Sequence, residues 1–152
     1  MKQGTIRSSV GIGALLAEGI GDTLRVSLTA DPVEEIGVGI EILKSLGLRE
    51  HGFTIISCPT CARCKLDLEE MVKEIERRLQ AIEDLPPIKV AIMGCVVNGP
   101  GEAMDADVGI AAAQDGGMIF AEGRAVKKVS ADDMVDELMA EVRRVAAARA
   151  TL

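Results

Sequence analysis

Two short apolar runs each stop at a cysteine-bearing loop, and this pairing constrains the fold more than any other feature of the chain. Phe53 to Ser57 leads directly into Cys58-Pro59-Thr60-Cys61-Ala62-Arg63-Cys64. Ile88 to Met93 leads into Gly94-Cys95-Val96-Val97-Asn98-Gly99-Pro100-Gly101-Glu102. Both runs predict short buried strands. Between them Asp67 is placed to cap a helix and Glu70 follows three residues on. Leu68, Met71, Val72, Ile75, Leu79 and Ile82 then recur at helical spacing as far as Pro86-Pro87. Strand, loop, helix, strand is the unit of an α/β sheet, and ligand sites favour the loops that follow its strands.

The flanking segments extend this pattern. Downstream, Val108 to Ala113, Met118 to Ala121 and Ala125 to Val129 are expected as small strands, with Gly116-Gly117 and Gly123-Arg124 as turns. Ser130 is expected to cap a long helix carrying Met134, Val135, Leu138, Val142 and Val145. Upstream, residues 9–20 are a helix candidate weakened by glycines. Thr23 to Thr29 sets Leu24, Val26 and Leu28 against Arg25 and Ser27, which predicts a strand with one polar face. Asp31, Pro32 and Glu34 open a further helix with a stripe of Ile36, Ile40, Leu43 and Leu46, stopped by Gly47. The fold class is therefore α/β, a sheet covered by helices.

Composition excludes several functions. The 152 residues carry a net charge of −7, which repels phosphate backbones, so nucleic-acid binding is not expected. With two Phe and no Trp or Tyr there is no stacking platform for single strands, and the core must be aliphatic. There is no signal peptide and no run long enough to span a membrane, which gives a cytoplasmic reading. In that setting four cysteines point to metal or redox chemistry rather than disulfides. Gly11-Ile12-Gly13 lacks the third glycine and the preceding strand of a dinucleotide site.

Cys58, Cys61 and Cys64 have C-x2-C-x2-C spacing, with Cys95 alone downstream. Thiolates bind soft and borderline metals, so this set suits either a zinc site or an iron–sulfur cluster. Packing alone does not call for three cysteines in seven residues. Spacing leaves zinc and iron both open. The glycine-rich second loop either turns main-chain N–H groups toward an anion or cluster sulfide or is an ordinary tight turn. On the latter reading Glu102 is a surface acid.

Ser57 to Arg63 and Gly94 to Glu102 resemble the two signature loops of the 4-hydroxy-3-methylbut-2-enyl diphosphate synthase family, and Ser8 to Leu28 is similar to the end of that family's barrel. The resemblance implies an iron–sulfur domain related to sulfite and nitrite reductases over residues 51–152. Residues 1–50 would then be the last strand–helix piece of a TIM-type barrel. Such a barrel needs roughly 250 residues, so most of it would lie outside this chain: a fragment, a split gene product or a misplaced start. The implied reaction is reductive ring opening and dehydration of 2-C-methyl-D-erythritol 2,4-cyclodiphosphate, in non-mevalonate isoprenoid synthesis. Ferredoxin or flavodoxin would donate electrons, and the full-length family is a homodimer. By the match, Cys58, Cys61, Cys95 and Glu102 ligate a [4Fe-4S] cluster. Glu102 and Asn98 are the implied catalytic residues, and Asn98, Arg25 and Ser27 the implied substrate contacts. For Arg25 a structural salt bridge is an equal alternative. Cys64 stands where the family usually carries a polar residue other than cysteine; it is expected to be a bystander near the helix entrance, the alternative being that it competes with Glu102 as fourth ligand. A stand-alone electron carrier and a structural zinc module are the other classes the residues allow, and the chain alone is expected to show little turnover.

Overall fold

The computed structural model describes residues 2–64, 66–95, 97 and 99–150. The chain divides into two compact units, Met1–His51 and Gly52–Leu152.

The first unit holds helices α1 (Lys2–Ala17) and α2 (Pro32–Ser45). α1 starts well before residue 9 and stops short of residue 20. It ends because Gly19 takes a left-handed conformation (φ 74°), while the Ile20 N–H reaches back to the Leu15 carbonyl at 3.0 Å. α2 follows its sequence signals. The Asp31 side chain accepts from the Val33 N–H at 2.9 Å, and Gly47 (φ 68°) closes the helix. Its buried face differs from the expected stripe: Gly39 and Ile42 are buried and Ile36 is exposed. The reason is that α2 packs on two sides, against α1 and against residues 24–26. A Cβ on Gly39 would stand 3.1 Å from Leu24 Cδ1.

The expected strand over Thr23 to Thr29 does not form. A strand needs a partner strand to take its peptide groups, and the described residues of this unit hold none. The alternation survives in extended form. Val26 is buried, Leu24 and Leu28 are half-buried, and Arg25 and Ser27 face solvent. The Leu28 N–H is satisfied instead by Glu35 Oε1 at 2.7 Å. α1 buries none of its residues, and Ile6, Val10 and Leu15 are exposed.

The second unit is built from β1 (Phe53–Ser57), α3 (Leu68–Gln80), β2 (Ile88–Met93), α4 (Gly99–Met104), β3 (Val108–Ala113), β4 (Gly116–Ala121), β5 (Arg124–Ser130) and α5 (Met134–Arg149). One sheet runs in the order β1-β2-β3-β4-β5. β1, β2 and β3 are parallel, whereas β4 is antiparallel to β3 and to β5. Strand alternation gives the sheet two faces. On one, Ile88, Val90, Ile92, Val108, Ile110 and Ile119 pack with Leu68, Ile75 and Leu79 of α3 and Leu138, Met139, Val142 and Val145 of α5. On the other, Ala91, Met93, Ala111 and Phe120 pack with Ala103 of α4 and with Ala106. Among the described residues no polar or charged residue is buried, so the core is apolar throughout. No described helix is long and apolar enough to cross a membrane.

Two local expectations fail. Gly116 and Gly117 open β4, and the turn is Gln114-Asp115. Gly116 (φ 141°) lies against the Val129 carbonyl, where a Cβ has no room, so this glycine serves close approach within the sheet. Ser130 does not cap α5. Its hydroxyl donates to Asp133 Oδ2 at 2.5 Å, and the helix begins after a turn at Met134.

The β4–β5 connection is a two-residue hairpin, Glu122-Gly123, with φ of 50° and 75°. Left-handed backbone suits glycine and asparagine better than glutamate. Glu122 also stands 3.6 Å from Arg144, an exposed pair worth little. Glu122→Asn is expected to stabilise the protein by roughly 0.5–1 kcal/mol, read as a higher urea midpoint at unchanged m-value.

On α3, Glu74 accepts hydrogen bonds from Arg77 and Arg78, which hold its carboxyl down from 4.5 to about 2. A depressed carboxylate contributes stability that is present above its unfolded value and lost as pH falls through its folded value. The difference in stability between wild type and Glu74→Gln should therefore be constant above about pH 5, shrink as pH falls toward about 2, and vanish only below that. Urea melts at stepped pH measure it.

Candidate metal centre

Parallel pairing of β1 with β2 brings the two cysteine loops to one edge of the sheet. Phe53 pairs with Ile88 and Ser57 with Ile92, so the strands end together. Cys58 follows β1 immediately, and its N–H continues the ladder to the Ile92 carbonyl at 3.4 Å. Gly94 follows β2, and its N–H donates to Cys58 Sγ at 3.3 Å. The first loop then turns on itself: the Cys64 N–H donates to the Cys61 carbonyl at 2.9 Å. Cys61 is exposed, and Cys58, Cys64 and Cys95 are half-buried. No disulfide joins any of the four.

Asp67 fixes where α3 starts, accepting from the Glu70 N–H at 3.1 Å. A groove of about 370 Å³ lies between the β1 end and this helix, lined by Ser57, Cys58, Thr60, Leu68, Glu69, Val72 and Lys73. The Glu69 carboxylate accepts from Lys73 at 2.7 Å, and this bond raises the lysine above its ordinary pKa.

The second loop is shorter than the sequence suggests, because Gly99 to Met104 forms α4. This helix sits unusually close to the sheet. A Cβ on Gly99 would stand 2.9 Å from Met93 Cβ and 3.1 Å from Ala111 Cβ. A Cβ on Gly109 would meet Ala103 O at 2.8 Å and Ala103 Cβ at 2.9 Å. Gly99 and Ala103 are therefore the inward face, one helical turn apart, and Glu102 points to solvent. No motif marks this interlock. Its signal was the run of small residues Gly109, Ala111, Ala112 and Ala113 in a strand, where β-branched residues are usual.

The implied site residues are thus only partly assembled. The Cys58 and Gly94 loops touch. Among the described residues, however, no three His, Cys, Asp or Glu side chains converge closely enough to hold a metal ion. Asn98 lies outside the described residues. Arg25 and Ser27 belong to the first unit, where both are exposed. Arg25 borders a groove of about 330 Å³ along α2, together with Glu35 and Arg49. Among the described residues Arg25 makes no ion pair.

Fold and loops define an α/β protein whose second unit carries a cysteine-rich loop pair at the ends of adjacent parallel strands. Residues 54–144 match the GcpE protein C-terminal domain, and residues 1–40 match the GcpE TIM-barrel domain. The chain belongs to the GcpE family. It is 56% identical over 147 residues to a protein of Geobacter sulfurreducens named 4-hydroxy-3-methylbut-2-en-1-yl diphosphate synthase (flavodoxin), covering 97% of this chain and 41% of that protein. Proteins of the same name from Clostridium acetobutylicum and Clostridium perfringens are 57% and 58% identical, with 92% and 90% of this chain covered and 40% and 39% of theirs. The chain thus spans about two-fifths of the length of these relatives.

The α4 interlock is directly testable. Gly109→Ala drives a methyl into the Ala103 backbone and is expected to destabilise by roughly 1–3 kcal/mol. Gly101→Ala, on the same helix with nothing within 4 Å, is expected to be neutral or stabilising by up to about 1 kcal/mol. Paired urea melts compare the two.

Proposed function

We propose that this chain supplies the [4Fe-4S] domain of a cytoplasmic 4-hydroxy-3-methylbut-2-enyl diphosphate synthase of the non-mevalonate pathway. The overall reaction is reductive ring opening and dehydration of 2-C-methyl-D-erythritol 2,4-cyclodiphosphate. The observation that carries this reading is the delivery of Cys58 and Gly94-Cys95 to one sheet edge by two adjacent parallel strands. The donor set fits the cluster. Thiols uncommitted to disulfides suit iron and sulfide, and a carboxylate is a harder, more readily exchanged donor for the remaining corner.

In this assignment Cys58, Cys61 and Cys95 hold three irons and Glu102, on the solvent face of α4, holds the fourth. The bound cluster supplies single electrons and a Lewis-acidic iron. Asn98 contacts substrate. Arg25 and Ser27 bind the diphosphate, Arg25 with paired donors and Ser27 with a hydroxyl. Residues 1–50 are the closing piece of a TIM-type barrel and residues 51–152 the reductase domain. The electron donor is flavodoxin, as in the names of the relatives, or ferredoxin. The complete enzyme is a homodimer, and the chain alone turns over little because much of the substrate pocket belongs to the rest of the barrel.

Oxygen-free reconstitution tests this. The wild-type chain is expected to take up four irons and four sulfides. Glu102→Ala should make the cluster labile to a chelator such as EDTA, while Cys64→Ser should not. Stoichiometric zinc without iron or sulfide would instead favour a structural zinc module.

A further inference from the structure

The two loops meet through a contact that neither ligation nor the family match assigns. Gly94 lies between two sulfurs. Its N–H donates to Cys58 Sγ at 3.3 Å, and a Cβ built on it would stand 2.5 Å from Cys64 Sγ and 3.4 Å from Cys64 Cβ. The Cys64 sulfur thus fills the space where a side chain at position 94 would go. It is itself held in place, donating to the Leu66 carbonyl at 3.5 Å while its backbone N–H is bonded to Cys61. Leu68 Cδ2 closes the other side of Gly94, 3.3 Å from the same Cβ position.

We propose that Cys64 is a positioning residue: its sulfur wedges against Gly94, locks the second loop onto the first, and keeps the Gly94 N–H on the Cys58 sulfur. This is a different role from ligand or bystander. A donor on a ligating sulfur stabilises the added negative charge of the reduced cluster and so raises its potential. The wedge therefore acts on Cys58 through Gly94. The contact stands without any cluster, and only its effect on potential rests on the function proposed above.

The test uses size complementarity. In metal-free, reduced protein, iodoacetamide labelling followed by peptide mass spectrometry reads the exposure of Cys58. Gly94→Ala collides with Cys64 Sγ and is expected to speed Cys58 labelling by roughly fivefold or more, as expected for residues in direct contact. Cys64→Ala removes the obstructing atom, so the double variant Gly94→Ala/Cys64→Ala should label Cys58 within about twofold of wild type. If Gly94→Ala does not fold, two single variants decide. Cys64→Ser keeps an atom and a donor in place and should leave Cys58 protected, whereas Cys64→Ala should loosen it. After reconstitution, Cys64→Ala should retain iron and shift the cluster to a more negative potential. A double variant that labels as fast as Gly94→Ala, or Cys64→Ala labelling at the wild-type rate, overturns the proposal. So does loss of iron from Cys64→Ser with Cys58 protection unchanged, which would make Cys64 a ligand. A wild-type chain that takes up no iron would defeat the cluster reading but leave the labelling comparison intact.

Discussion

The parallel pairing of β1 and β2 is the constraint on which the rest of the second unit depends. Residues Phe53 to Ser57 and Ile88 to Met93 run side by side in register, so both loops leave the sheet at one edge. Parallel strands cannot be joined by a tight turn, and α3 is the crossover that makes the pairing possible. Its Leu68, Ile75 and Leu79 are buried against Ile88, Val90 and Ile92. The burial that stabilises the helix on the sheet thus also sets where Cys58 and Gly94 stand.

The opposite face of the sheet follows from a different kind of packing. α4 is six residues long and has no room for a wide apolar stripe. It is held by proximity, with Gly99 and Ala103 lying against Met93, Gly109 and Ala111. Small residues on both surfaces let backbones approach closely, and close packing recovers dispersion energy that large side chains would otherwise provide. The outward side of this short helix is where Glu102 sits. Its placement is therefore decided by glycines and alanines that carry no chemistry themselves.

The first unit shows the same principle by contrast. Asp31, Pro32 and Gly47 bound α2 through local capping, which needs nothing beyond the neighbouring residues. The segment 23–29 keeps its in–out alternation but forms no strand, because strand hydrogen bonding is not local. The apolar residues left exposed on α1 and α2 belong to a short stretch that matches a barrel domain over only 40 residues.

Much was legible in the residues. The strands Phe53–Ser57, Ile88–Met93 and Val108–Ala113 fall where apolar runs put them, and the Asp31 and Asp67 caps work as their spacing predicts. These signals are short-range, arising from side chains within one turn or one pleat. The turn at Gln114-Asp115, the helix at Gly99 and the buried face of α2 depart from the local pattern, because each is set by what packs against it. The sequence by itself determined the elements bounded by local signals, the four cysteines and the family to which their loops belong. Only the tertiary structure decided that Gly94 would meet Cys58 across 36 residues of chain, with Cys64 wedged beside it. Spacing along a chain encodes periodicity but not the distance between loops, which is fixed when strands take their register and helices settle on the sheet.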